Sequence, residues 1–176
     1  MGEPGPFDKA PTPVTNQFVV TVAANVLPGV YDARVVGKYG VSNPRAFIVS
    51  DLQTSIETEP NNTQEQATEI TTPASISGQA GAAADVDYFK FTGTAGQRLI
   101  IECNAHRIDS HLDAIVAVYD SAGRELDSSR DQQSSDPVLD FTVPAAGDYF
   151  IKIHDALFRV NTPPVFSSHL LTPTIS

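Results

Sequence analysis

The sequence predicts an all-β protein, an antiparallel β-sandwich or jelly roll preceded by a smaller β segment. Apolar and polar residues alternate with a period of two through most of the apolar stretches. Between those stretches recur turn signals built on Gly, Pro, Asn and Asp, from a chain of 176 residues with 13 prolines and 11 glycines. With 41% hydrophobic and 18% charged residues a packed core is expected and wholesale disorder is excluded.

In chain order, Phe18, Val20 and Val22 alternate with Gln17, Val19 and Thr21 and predict a first strand. After the turn at Leu27-Pro28-Gly29, Tyr31, Ala33 and Val35 predict a second, and Arg45 to Ser50 a third beyond Gly40-Val41-Ser42-Asn43-Pro44. A tyrosine opening a strand after a Pro-Gly turn resembles the C-terminal part of an immunoglobulin-like domain. Residues 1–50 are therefore read as a partial immunoglobulin-like segment, 51–57 as a linker, 58–160 as the sandwich and 161–176 as a tail. Three strands are too few for a sandwich of their own. Charge marks the same boundary: residues 1–50 hold three acidic and four basic residues, residues 51–160 eighteen acidic and seven basic.

The second unit opens with one short helical candidate, Gln64 to Glu69, with Asn62 or Thr63 as N-cap. Strands are expected over 74–79, 86–92 and 98–105. Residues 114–119, Ala-Ile-Val-Ala-Val-Tyr, are apolar on both faces and predict a central, doubly covered strand. Leu139, Phe141 and Val143 mark another, and Tyr149, Ile151 and Ile153 the next. Val165 to Leu171 either adds a last edge strand or frays with the tail.

A net charge of −10 argues against nucleic acid or an anionic membrane surface as partner, because both would repel it. No apolar run approaches the ~18 residues of a membrane span, and the start of the chain lacks the pattern of a signal peptide. Cys103, the one cysteine, sits in an apolar alternation and reads as a small core residue.

The strongest chemical signal is Glu57-Thr58-Glu59-Pro60-Asn61-Asn62, where four carboxylate or carboxamide side chains fall within six residues and proline forbids a helix. In an extended segment Glu57, Glu59 and Asn61 point the same way. Asp85 and Asp87 form a second pair, opening a strand. Calcium requires six to eight oxygens, several of them carboxylates. A linker folding back across the start of the Asp85 strand would bring both groups onto one ion. The competing reading is that the acids are solvated and Asn62 caps the helix. For Asp113, Asp120, Asp127, Asp131 and Asp136 structural roles are expected, with Arg107 or Arg130 as a partner for Asp113.

Taken as an ordered series, Glu57-x-Glu59-Pro60-Asn61-Asn62-Thr63, Asp85-x-Asp87-Tyr88-Phe89-x-Phe91, Ser110-x-Leu112-Asp113, Tyr119-Asp120-x-x-Gly123, Asp136-Pro137 and Gly147-Asp148-Tyr149-x-Ile151 resemble the bacterial pre-peptidase C-terminal domain. That family is a β-sandwich appended to secreted peptidases and surface proteins. The chain is similar also to the collagen-binding modules of clostridial collagenases, in which linker acids and asparagines bind calcium with aspartates of the sheet. The resemblance implies Glu57, Glu59, Asn61, Asn62, Asp85 and Asp87 as calcium ligands, and an extracellular or cell-surface location. It also implies an accessory, spacer or adhesion role beside the parent protein's other domains. A polysaccharide- or collagen-type ligand is the alternative, with Tyr88, Phe150 and Phe158 as candidate stacking residues; collagen binding itself cannot be mapped onto particular residues.

An enzyme is not expected. His106, His111, Asp109 and Ser110 could be assembled on paper into a triad, but no Gly-x-Ser-x-Gly elbow accompanies them. The histidine spacing fits no zinc motif, and no phosphate-cradling glycine loop is present.

Overall fold

The computed structural model describes residues 20–80, 85–130, 136–157 and 165–171. Phe18, Asp131 and Phe158 lie outside the described residues.

In the first unit, strand β1 (Gly29–Ala33) pairs antiparallel with β4 (Arg45–Val49), placing Tyr31 opposite Phe47. Between them β2 (Val36–Gly37) and β3 (Gly40–Val41) form a small hairpin whose Gly40 has φ +121, a backbone angle costly for any side chain. The tyrosine after the Pro-Gly turn explains that turn: its hydroxyl donates to the Leu27 carbonyl at 2.8 Å. The strand expected around 17–22 does not appear over Val20–Val22, which are exposed and unpaired with a sheet.

The remaining strands build two five-stranded sheets packed face to face. Two elements from the acidic stretch contribute, β5 (Thr54–Ile56) and β6 (Thr68–Glu69). They are followed by β7 (Ala74–Gln79), β8 (Val86–Gly93), β9 (Arg98–Asn104), β10 (Ala114–Asp120) and β11 (Glu125–Arg130). The last three are β12 (Val138–Thr142), β13 (Gly147–Asp155) and β14 (Val165–Leu171). One sheet has the order β11-β10-β13-β8-β6 and the other β12-β9-β14-β7-β5. Neighbours are antiparallel except at one edge of each sheet, where β6 runs parallel to β8 and β5 parallel to β7.

The alternation read in the sequence is the alternation of burial. Phe89, Phe91, Leu99, Ile101, Val116, Val118, Ile151 and Ile153 are 0–2% exposed and fill the space between the sheets, each stabilising the fold by roughly 1.5–3 kcal/mol. Tyr149 stacks on Phe91 at 5.7 Å and meets the edge of Phe141 at 5.9 Å. β10 is an internal strand between β11 and β13, but the middle place in the sheet belongs to β13, and Ile115 and Tyr119 on its other face are only half-buried, so it is not doubly covered.

Three elements differ from expectation. The helix over 64–69 is a single 3-10 turn at Gln64–Gln66, because Thr68 and Glu69 instead take a parallel ladder against Phe89 and Lys90. The stretch read as linker, 51–57, supplies β5 to the second sheet. The stretch read as tail, 161–176, supplies β14, which lies between β9 and β7 rather than at an edge.

Candidate cation site at the inter-sheet strap

Strand β5 belongs to one sheet and β6 to the other, so the residues joining them cross the open edge of the sandwich as a strap. Backbone bonds hold the strap down: Glu57 N–H donates to the Ser77 carbonyl at 3.0 Å, and Tyr88 N–H to the Asn61 carbonyl at 2.9 Å. On β8, Asp87 shares the inward face with Phe89 and Phe91 by strict alternation. Its carboxylate therefore points between the sheets, at the edge where the strap passes, and is 1% exposed.

Glu57, Glu59 and Asp87 each bring a carboxylate oxygen to within 4.8 Å of the others. Asn61, fully buried, lies among them: its amide nitrogen, oriented to donate, is 3.2 Å from Asp87 Oδ1 and 3.0 Å from Glu59 Oε2. Turned over, the same position holds the carboxamide oxygen, a fourth oxygen facing the carboxylates. Glu57 Oε1 accepts from Gln79 N–H at 2.5 Å and Glu59 Oε2 from Asn61 N–H at 3.1 Å. Glu57 Oε2 and Asp87 Oδ2 are buried without a hydrogen-bond partner.

The electrostatics follow. Burial pushes the Asp87 carboxyl up to about 8, with Glu57, Asp85 and Glu59 adding in the same direction. Burial likewise raises Glu57, with Glu59 and Asp85 contributing. Buried carboxylates of one sign, two of them with an orphaned oxygen, need a positive charge or a proton. The donors are all oxygens, which suits a hard cation and not zinc.

Of the six residues expected as ligands, Glu57, Glu59, Asn61 and Asp87 converge. Asn62 and Asp85 form an adjacent pair, the Asn62 amide 2.8 Å from Asp85 Oδ1 and 3.0 Å from the Val86 carbonyl. Asn62 is thus not the cap of the following turn; Thr63 holds that position.

The other acidic residues have local duties. Asp136 accepts backbone N–H from Ala105, His106 and Arg107 at 2.7–3.1 Å, and Arg107 pairs with Asp136, not Asp113. Asp120 ties its own turn to Ala122 and Arg124. Asp155, which the sequence reading passed over, accepts from Asp113 and Leu157 N–H; its place at the end of a strand was the available signal. Asp109, at φ 60, accepts from Ala46 N–H of the first unit at 3.0 Å, and the Ser110 hydroxyl accepts from Leu112 N–H at 3.2 Å. Of the stacking candidates, Phe150 is buried and Tyr88 is half-buried beside Tyr119, with ring centroids 6.4 Å apart.

Residues 85–155 match the family described as the bacterial pre-peptidase C-terminal domain. The match runs from the start of β8 to the end of β13, the greater part of the sandwich. The matched residues include Asp85 and Asp87 and leave the strap outside. Over 98 residues, 54% of its length, the chain is 33% identical to a probable subtilase-type serine protease of Deinococcus radiodurans, of which it spans 14%. In fold it is similar to the pre-peptidase C-terminal domain of a collagenase from Bacillus anthracis, with a TM-score of 0.50 at 12% identity, covering 62% of this chain and 99% of that one.

Proposed function

We propose that the chain is a non-catalytic accessory unit of a larger exported bacterial protein, and that a calcium ion held by Glu57, Glu59, Asn61 and Asp87 pins the strap to the pre-peptidase C-terminal sandwich. The observation that carries this reading is the pair of buried, partnerless carboxylate oxygens, Glu57 Oε2 and Asp87 Oδ2, within one group of converging acids. Three carboxylates and a carboxamide supply enough charge and most of the oxygens that calcium needs. Asp85, held by the Asn62 amide, stands just behind and adds negative potential. The strap follows the boundary near Ser50, so the ion would also fix the angle between the immunoglobulin-like segment and the sandwich. Extracellular calcium modules work at Kd of about 0.1–1 mM, which suits a secreted or cell-surface location.

Thermal unfolding in about 2 mM calcium against excess EDTA tests this. Ten-fold saturation is worth about 1.4 kcal/mol, so calcium raises Tm by roughly 3–6 °C for a chain of this size. Glu59→Ala and Asp87→Ala abolish the shift. An unchanged Tm in the wild type removes calcium from the account.

A further inference from the structure

The acids of the strap also border a cleft of about 630 Å³ between the first unit and the sandwich, a volume in the range of small-molecule sites, about 300–1,000 Å³. We propose that this cleft binds a neutral saccharide, whose vicinal hydroxyls complete the oxygen shell of the ion held by the strap. The inference rests on the calcium reading above and adds a ligand to it.

The four donors are unequally exposed. Asp87 and Asn61 are buried at the back, Glu57 is half-buried, and Glu59 is exposed. Glu57 and Glu59 are the two that line the cleft, so the cage is closed behind and open toward it. Glu57 Oε1 and Glu59 Oε2 already accept backbone N–H groups. With one oxygen from each, the three carboxylates and Asn61 supply four of the six to eight a calcium ion takes, and the open side is where further oxygens can enter.

Charge decides what kind of oxygen enters. Three carboxylates around a divalent ion leave an excess of one negative charge, and the described lining of the cleft holds no lysine or arginine. An anionic ligand would meet repulsion there, whereas paired hydroxyls are neutral and chelate through two oxygens. The walls fit the same chemistry. Thr54 of β5 and Ser77 of β7 line one side, and Phe47 and Ile48 of β4 the other. A sugar ring has a polar rim and an apolar face, and this cleft offers one wall for each.

The test is affinity electrophoresis of the full chain through gels containing yeast mannan, galactomannan or sodium alginate, with calcium or EDTA, alongside the calcium-dependent Tm. The expected result is retardation by at least one neutral polysaccharide in calcium, lost at least ten-fold in EDTA and competed by methyl α-mannoside or methyl α-galactoside. Phe47→Ala reduces retardation at least five-fold and keeps the calcium shift in Tm, which reports an intact sandwich. A calcium shift in Tm without calcium-dependent retardation on either neutral polymer overturns the saccharide and leaves the ion. Retardation equal in EDTA, or by alginate alone, overturns it as well. No calcium shift in the wild type removes ion and saccharide together.

Discussion

Asp87 carries the chemistry of the strap because it is a carboxylate on the apolar face of a strand. Its neighbours on that face, Phe89 and Phe91, are 0% and 2% exposed, and it is itself 1% exposed. Ionised without a cation it is a buried charge among like charges; with one it becomes a ligand. The two states give opposite signs to one substitution. In EDTA, Asp87→Asn removes the cost of protonating the carboxyl, or of burying it ionised at higher pH, and raises stability by about 1–3 kcal/mol. In calcium it lowers stability, because the ion no longer binds. Thermal melts of the variant in both buffers should cross the wild-type values. The pH dependence follows the same logic. The folded protein holds the Asp87 proton up to about pH 8, against an ordinary 3.8. Between these values the folded state binds more protons than the unfolded, so stability falls as pH rises through that window. In EDTA, Tm should decline from pH 5 to 8, and Asp87→Asn should flatten the decline.

Among the elements, β8 shows how much a period of two can specify. Asp87, Phe89, Phe91 and Gly93 face inward in turn, and Gly93 is required by a close approach: a Cβ there would lie 3.0 Å from both Cγ atoms of Val143. Gly93→Ala should destabilise by roughly 1–3 kcal/mol through overpacking, read as a lower denaturation midpoint at unchanged m-value. Two turns of different units share one device. Tyr31 and Tyr149 each follow a glycine by two residues, and each hydroxyl donates to the carbonyl four residues back, at 2.8 and 2.7 Å. Gly-x-Tyr after a turn was legible as a strand opening; the bond that fixes it was not. β11 has Leu126 as its one apolar residue in Glu-Leu-Asp-Ser-Ser-Arg, so no periodicity announced it. It forms because β10 offers it a paired edge.

For the molecule as a whole, closure depends on residues far apart in the chain. β14 stands between β9 and β7, bonded to both, so it is an internal strand of the second sheet. A chain ending at residue 160 should lose the cooperative unfolding transition, because β7 and β5 would be left without the neighbour that joins them to β9. Circular dichroism and a urea titration of the shortened chain check this. A native-like midpoint would show that β14 is dispensable. The same long-range logic places Asp109, which reaches from the sandwich to the Ala46 N–H of the first unit.

Read along the chain, the residues themselves determined the all-β class, the inward faces of β9, β12 and β13, and the pooling of oxygen donors at 57–62 and 85–87. These depend on neighbours two apart, and a pleated backbone enforces that spacing wherever the strand lies. Only the tertiary structure decided that β5 and β6 join different sheets, that β14 is internal, and that Asn61 and not Asn62 enters the group of acids. Those outcomes depend on which distant strand supplies a hydrogen-bonding edge, and a strap turns inward or outward according to the sheet edges it bridges.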